Sequence, residues 1–294
     1  KLSLDHEFEV IAKQFEEKAG SDYAASRGEY LNGIIMANYL GYTYIDSAEV
    51  ICFDENGNFL ADKTDEVLSE RLKDLDNAVV PGFYGAKPDG SVKTFSRGGS
   101  DITGSIVAKA VHADIYENWT DVSGILMADP RIVENPRPIE RITYAELREL
   151  SYIGAQVLHE GTVSPVREKN IPLNIRNTNQ PEHPGTMIRE AFDDTAAELQ
   201  ESSMITGIAG KKGFSVITMT KNGMSSELGV IRRVLEILER YHINVEYIPS
   251  GIDSVSLVVE TGKAAPYLYQ ALGDMEKEIK PDSLHVTDGM AGGG

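Results

Sequence analysis

Residues 92–114 read VKTFSRGGSDITGSIVAKAVHAD, and this stretch decides the fold. Val92, Thr94 and Phe95 make a short β-forming run, and Ser96, Arg97, Gly98, Gly99, Ser100 and Asp101 follow it. From Ile102 onward apolar residues recur at helical spacing, at Ile106, Val107, Ala110 and Val111. The pattern predicts a strand, a glycine turn and a helix. Two adjacent glycines allow a tight turn and a close backbone approach to a ligand. The helix that follows presents unpaired N–H groups at the positive end of its dipole. An anion suits such a turn. Arg97 adds a planar fork of donors matched to a carboxylate or phosphate, and Ser100 and Asp101 can cap the helix or hold a ligand or a metal-bound water. Read locally, an ordinary turn with a capping Ser/Asp is equally open.

Upstream, residues 1–20 place Leu4, Phe8, Ile11, Ala12 and Phe15 on one face of an amphipathic helix. Ser26-Arg27-Gly28-Glu29 then opens a second helix that stops at Gly41, with Glu29 near its start as a favourable partner for the dipole. Residues 44–53 read as a strand with Cys52 as a buried small hydrophobe, residues 64–75 as a helix and residues 78–83 as a buried strand. Downstream, residues 114–121 form a strand running into a polar loop, where Thr120 and Asp121 alone would suit a cap. Residues 171–176 are the closing strand. Strands alternating with helices predict an α/β fold, a three-layer αβα sandwich on a mostly parallel sheet, with ligands at the strands' C-terminal ends.

Residues 1–188 form this first domain, and the polar, acidic residues 189–202 read as a linker. Residues 203–294 change character. Strands at 205–209 and 214–219, a helix at 226–241, strands at 245–248 and 254–260 and a helix at 264–277 predict a ferredoxin-like α+β module. One apolar stripe runs through Leu228, Ile231, Val234, Leu235 and Leu238, and Ser225 or Ser226 serves as cap. Modules of this kind have exposed edges that pair with a second copy.

With 41% hydrophobic residues the chain can bury a substantial core, and its net charge of −18 argues against nucleic acid or anionic membrane as partner. A single cysteine excludes an intramolecular disulfide, and neither a long apolar run nor a signal-like N-terminus occurs, so a cytoplasmic location is expected.

Several motifs occur in order. Arg97-Gly98-Gly99-Ser100-Asp101 with Thr103 is followed by Trp119-Thr120-Asp121-Val122-x-Gly124 and by Asp129-Pro130-Arg131. Then come Ile142-Thr143-Tyr144-x-Glu146-Leu147, Gly154-Ala155-x-Val157-Leu158-His159 and Ile171-Pro172-Leu173-x-Ile175-Arg176-Asn177-Thr178. Together they resemble the aspartate kinase branch of the amino acid kinase family over nearly the whole chain. The resemblance implies transfer of the γ-phosphoryl group of ATP, with Mg²⁺, to the β-carboxylate of L-aspartate. It puts Arg97 on a substrate carboxylate, Glu29 on the substrate ammonium, and Gly98, Gly99 and Ser100 near the reacting groups. Asp101 would orient a lysine or the magnesium shell, and Thr120, Asp121 and Arg131 would hold the nucleotide, with no protein metal ligand named. Two departures are Leu126, where some members have a tyrosine, and Gln156, which occupies the lysine position of Gly-Ala-Lys-Val-Leu-His among the nucleotide-binding residues. The family's Lys-Phe/Tyr-Gly-Gly-Ser phosphate loop, expected on a strand before residue 1, has no counterpart in these residues.

The second module resembles an ACT regulatory domain. That likeness implies an effector pocket, for lysine or threonine or both, formed by Met224, Ser225, Ser226, Asn244, Val245 and Glu246 with a partner module. It also implies a homodimer through these domains, and a second such module that these residues do not include. Two other readings stay open at this level: a kinase of the same family acting on another carboxylate, and a non-catalytic amino-acid sensor.

Overall fold

The computed structural model describes residues 2–153, 158, 160–192 and 205–293. Its contacts divide the chain into two compact units, Lys1–Gly207 and Ile208–Gly294.

In the first unit α1 (Asp5–Glu16) buries Ile11 from its apolar stripe and leaves Phe8 and Phe15 about half exposed. Helix α2 (Ser21–Leu40) ends at Gly41 as expected but begins ahead of Ser26. Asp22 in its first turn complements the dipole, and Ala24 and Ala25 are strong helix formers. Glu29 therefore lies in the body of α2, and a role as terminal dipole partner does not apply.

Residues 44–53 are not one strand. After β1 (Thr43–Tyr44), Asp46 accepts the Ala48 N–H at 3.0 Å and caps a helical turn, α3 (Ser47–Val50). Cys52 makes only a single bridge, to Ala86, and is partly exposed. Helix α4 (Ala61–Leu72) leads to β2 (Ala78–Val79), parallel to β1, and to the hairpin of β3 (Tyr84–Ala86) and β4 (Val92–Thr94). Helix α5 (Gly99–Ala110) follows the glycine turn. Leu68 of α4 and Ile102 and Ile106 of α5 bury against Ile45, Ile51 and Phe53. Each such burial stabilises by roughly 1.5–3 kcal/mol.

Beyond α5 come β5 (Tyr116–Thr120), the short antiparallel pair β6 (Ile125–Leu126) and β7 (Pro138–Ile139), and β8 (Arg141–Thr143). Helices α6 (Tyr144–Ile153) and α7 (Glu160–Glu168), then β9 (Leu173–Asn177) and β10 (Thr186–Arg189), complete the unit. The main ladder runs β5-β9-β10-β8, with β5–β9 and β10–β8 parallel and β9–β10 antiparallel. The last strand is thus β10 rather than residues 171–176, because the chain doubles back after Asn177 and pairs Thr186 with Ile175. The architecture is the α/β layering on mostly parallel pairings that the alternation predicts.

The second unit is ferredoxin-like, with an element order that corrects the sequence reading. Strand β11 (Gly210–Thr220) is followed by α8 (Val230–Arg240), β12 (Ser254–Glu260), the short α9 (Thr261–Ala264), α10 (Leu268–Glu278) and β13 (Ser283–Gly293). Residues 205–209 are not a strand. Residues 246–251 pair irregularly with β12 through the Tyr247–Val258 and Ser250–Val255 bridges, and the polar-rich final stretch is a full edge strand. Counting that irregular edge, the order is βαββαβ. Helix α8 starts at Gly229 without a side-chain cap, so Leu228 falls outside it and is 98% exposed. Val234, Ile237 and Leu238 form its buried stripe instead.

Candidate active site

Gly98 adopts a left-handed conformation (φ 58°) and Gly99 begins α5. A Cβ on Gly99 would stand 2.5 Å from the Cβ and 2.8 Å from the Cα of Phe83, so only glycine lets residues 82–83 pass over the start of the helix. Phe83 N–H donates to the Thr103 hydroxyl at 3.0 Å, and that hydroxyl donates to the Gly99 carbonyl at 2.8 Å, which locks the turn from below. The result is an open cleft of about 390 Å³ bordered by Phe83, Phe95, Arg97, Gly98, Ser100 and Asp101. Arg97 and Ser100 are exposed, and the Arg97 side chain has no hydrogen-bond or ion-pair partner among the described residues. Unpaired backbone donors, a helix dipole and a free guanidinium thus converge on one cleft, an arrangement for binding anions.

Asp101 has a fixed orientation. Its Oδ1 accepts from Asn118 Nδ2 at 2.9 Å, and its backbone carbonyl accepts from the Tyr116 hydroxyl at 3.1 Å. Asn118 is buried in β5 and Nδ2 also reaches Tyr116 Oη at 3.1 Å, so the first turn of α5 is tied to a sheet strand. Burial pushes the Tyr116 phenol above its ordinary pKa. Asn118 was not picked out from the sequence. The available signal was a polar residue between exposed Glu117 and Trp119 at the inward position of a strand.

Helix α2 meets this region at its other end. Asp22 accepts from Lys93 Nζ at 2.9 Å and from Thr94 Oγ1 at 3.1 Å, joining α2 to β4 just before the glycine turn. Glu29, farther along α2, is exposed and does not border the Arg97 cleft. The neighbouring Arg27 is buried instead. Its guanidinium lies 4.3 Å from the Tyr23 ring centroid, 4.4 Å from Tyr30 and 5.6 Å from Tyr84, and it donates to Ser26 Oγ at 2.9 Å. Tyr84, next to Phe83, donates to Asp46 at 2.7 Å; burial first, and Asp46 second, raise its pKa. This aromatic cage is a second feature that the sequence reading missed, because Tyr84 is remote from Arg27 along the chain.

Thr120 and Asp121 lie at the C-terminal end of β5, beside the end of its parallel neighbour β9. The Thr120 carbonyl accepts from the Thr178 N–H at 2.9 Å, and Asn177 donates to Ser123 Oγ at 2.8 Å. Asp121 is exposed and, among the described residues, accepts only from Thr120 Oγ1, at 3.2 Å. Arg131 is 84% exposed and already paired with Asp129, at 2.9 Å and 2.6 Å through Nε and Nη2. That guanidinium holds the Asp129 carboxyl down to about 2. Gln156 and His159 fall outside the described residues.

In the second unit Met224, Ser225 and Ser226 form a 3₁₀ turn before α8, and Met224 packs into the core. Asn244, Val245 and Glu246 follow that helix, and Asn244 donates to Glu246 at 3.3 Å. The eleven-residue helix α8 lies between the two groups along the chain, and no hydrogen bond joins them among the described residues.

A glycine turn opening a helix is an anion-binding element of an α/β fold, and the chain belongs to the amino acid kinase family, whose model matches residues 2–177. Among its relatives, Aspartokinase 3 of Bacillus subtilis is 39% identical over 280 residues, 92% of this chain and 60% of that protein. The aspartate kinase of Clostridium acetobutylicum superposes with a TM-score of 0.85 at 51% identity, covering 99% of this chain and 66% of its own. Escherichia coli aspartokinase III, solved in complex with aspartate and ADP, gives a TM-score of 0.64 at 25% identity, covering 96% of this chain and 66% of its own. The chain thus spans 60–66% of the length of these relatives.

Proposed function

We propose that the protein is an aspartate kinase, transferring the γ-phosphoryl group of ATP to the β-carboxylate of L-aspartate to give 4-phospho-L-aspartate and ADP. The observation that carries this reading is the cleft at Gly98–Asp101, where backbone donors and an unpaired Arg97 face solvent together in a chain 51% identical to an aspartate kinase. The attacking carboxylate is already ionised, so the reaction needs positioning and charge neutralisation rather than a general base. Arg97 takes a substrate carboxylate through its planar fork, and Glu29 takes the ammonium. Gly98, Gly99 and Ser100 donate to the oxygens of the reacting groups. Thr120, Asp121 and Arg131 hold the nucleotide, with Gln156 as a further contact.

The exposed carboxylate of Asp121 and the Asp101 oxygen not taken by Asn118 are hard oxygen donors, which fits Mg²⁺ arriving on the nucleotide. When bound, Mg²⁺ supplies charge neutralisation at the β- and γ-phosphates. Asp101 orients that charged group, and the Asn118 bond keeps its carboxylate from turning away.

We further propose that residues 1–188 are the catalytic domain, 189–202 the linker and 203–294 an ACT regulatory domain. Two copies of that domain would meet so that Met224, Ser225 and Ser226 of one face Asn244, Val245 and Glu246 of another. That no hydrogen bond joins these groups within one module, among the described residues, favours an effector site completed by pairing. Lysine or threonine is the expected effector and the cytoplasm the expected location.

The test is ATP-dependent formation of an acyl phosphate from L-aspartate, trapped as the hydroxamate, with glutamate and acetate as controls. Aspartate-specific hydroxamate is expected, and equal rates with the controls would remove the substrate assignment. Lysine or threonine should lower the rate. Sedimentation showing only monomers with the effector present would remove the paired site.

A further inference from the structure

We infer a second small-molecule site in the first unit, distinct from the Gly98–Asp101 cleft, that takes an apolar α-amino acid as its zwitterion and acts on the substrate cleft through Arg97. A cavity of about 400 Å³ opens between α4, α5 and α7, within the roughly 300–1,000 Å³ of small-molecule sites. Phe59, Phe95, Ile102, Ile106 and Pro165 give it apolar walls. Such a lining takes a hydrophobic body.

Two polar features select what that body must carry. Asp65 borders the cavity, and its Oδ1 is shielded from solvent without a hydrogen-bond partner. A shielded carboxylate oxygen in that position calls for a donor, preferably a cationic one. Arg97 stands on the rim, its guanidinium without a partner among the described residues. Lys109 and Glu168 also border the cavity and pair at 2.5 Å, and Lys109 lies near enough to Asp65 to share its charge without hydrogen-bonding the shielded Oδ1. An unbonded Asp65 oxygen and the Arg97 guanidinium thus stand around an apolar space, with the Lys109–Glu168 pair beside them, which matches the ammonium, carboxylate and side chain of an apolar amino acid.

Phe95, Ser96 and Arg97 border this cavity and the Gly98–Asp101 cleft alike. A zwitterion held behind this segment draws Arg97 away from the substrate cleft and raises the KM for the carboxylate substrate. That consequence rests on the substrate role proposed for Arg97, whereas the binding itself does not.

The experiment is calorimetric titration of the chain with L-phenylalanine, alongside 3-phenylpropionate, which lacks the ammonium. Saturable binding of phenylalanine is expected. Asp65→Asn and, separately, Ser164→Trp, which fills the cavity from an exposed position on α7, should each weaken it by at least about tenfold, the scale of one charge-assisted contact. Phenylpropionate should bind more weakly than phenylalanine and be insensitive to Asp65→Asn. Thermal unfolding checks that both variants fold. Absence of binding up to about 10 mM, or unchanged affinity in both variants, overturns the site, since the amino acid would then be bound elsewhere. Arg97→Ala separates the two readings. An unaltered aspartate KM in that variant removes the substrate role of Arg97, while phenylalanine binding that depends on Asp65 still upholds the cavity.

Discussion

Replacing Asn118 with aspartate tests the anchor of the candidate site by keeping its shape and reversing its hydrogen bonding. Asn118 is 8% exposed, and Nδ2 donates to the Asp101 carboxylate at 2.9 Å. The substitution removes a hydrogen bond to a charged group, worth about 1.5–3 kcal/mol. It also sets two carboxylates near contact, where an effective dielectric of about 20 gives a repulsion of roughly 5 kcal/mol. Proton uptake by the pair relieves that repulsion, so the pair's pKa rises above the ordinary carboxylate value of about 3.9.

The sign of the pH dependence follows. With the folded-state pKa raised, the penalty is full above that raised value, shrinks as pH falls through it and vanishes below the unfolded-state value. Asn118→Asp should therefore lose about 5–8 kcal/mol at pH 8 and recover much of it near pH 5. Asn118→Ala should lose about 1.5–3 kcal/mol with no such recovery. Urea unfolding of the wild type and both variants at the two pH values measures this, and hydroxamate formation should fall in the same order. An Asn118→Asp protein within about 0.5 kcal/mol of wild type at pH 8, or one equally impaired at both pH values, would refute the anchoring role.

Other substitutions test other parts of the site. Arg97→Ala should cut kcat/KM for aspartate at least about tenfold, or 1.4 kcal/mol, mainly through KM; wild-type kinetics would exclude Arg97 from the substrate site. Gly99→Ala brings a Cβ to 2.8 Å from the Phe83 backbone, which side-chain rotation cannot relieve. It should cost about 1–3 kcal/mol in urea unfolding despite alanine's helix propensity, and a stabilised protein would contradict the close approach. For Asp22, burial pushes the carboxyl up, but hydrogen bonds from Lys93 and Thr94 outweigh it and hold the pKa below the ordinary value. The Asp22 contribution is present above the ordinary pKa and lost as pH falls through the lowered one, so Asp22→Asn should flatten acid unfolding. An identical acid transition would show that this link between α2 and β4 is not what acid breaks.

What the sequence made legible was local. Residues 92–110 declared strand, turn and helix because each signal lies within a few positions of the next, and α5 begins at Gly99 within that pattern. The Asp46 cap was equally local but was overridden by the β-forming residues on both sides of it, so residues 44–53 read as one strand. In the second unit the apolar stripe of α8 was visible. The final edge strand was not, because a strand paired on one side and largely exposed carries polar and small residues.

The long-range features of the site have a different origin. Asp101 and Asn118 are 17 positions apart, and Asp22 and Lys93 are 71 apart. Periodicity in either segment says nothing about such partners, because each bond exists only once the sheet and its helices are assembled. The same limit governs Ser26-Arg27-Gly28-Glu29. By pattern alone Glu29 belongs to a helix start, whereas the fold encloses the neighbouring Arg27 between aromatic rings and leaves Glu29 exposed in mid-helix. Two of the rings, Tyr23 and Tyr30, lie on α2 itself, one turn either side of Arg27, and Tyr84 of β3, 5.6 Å from the guanidinium, is the ring that joins it to another element.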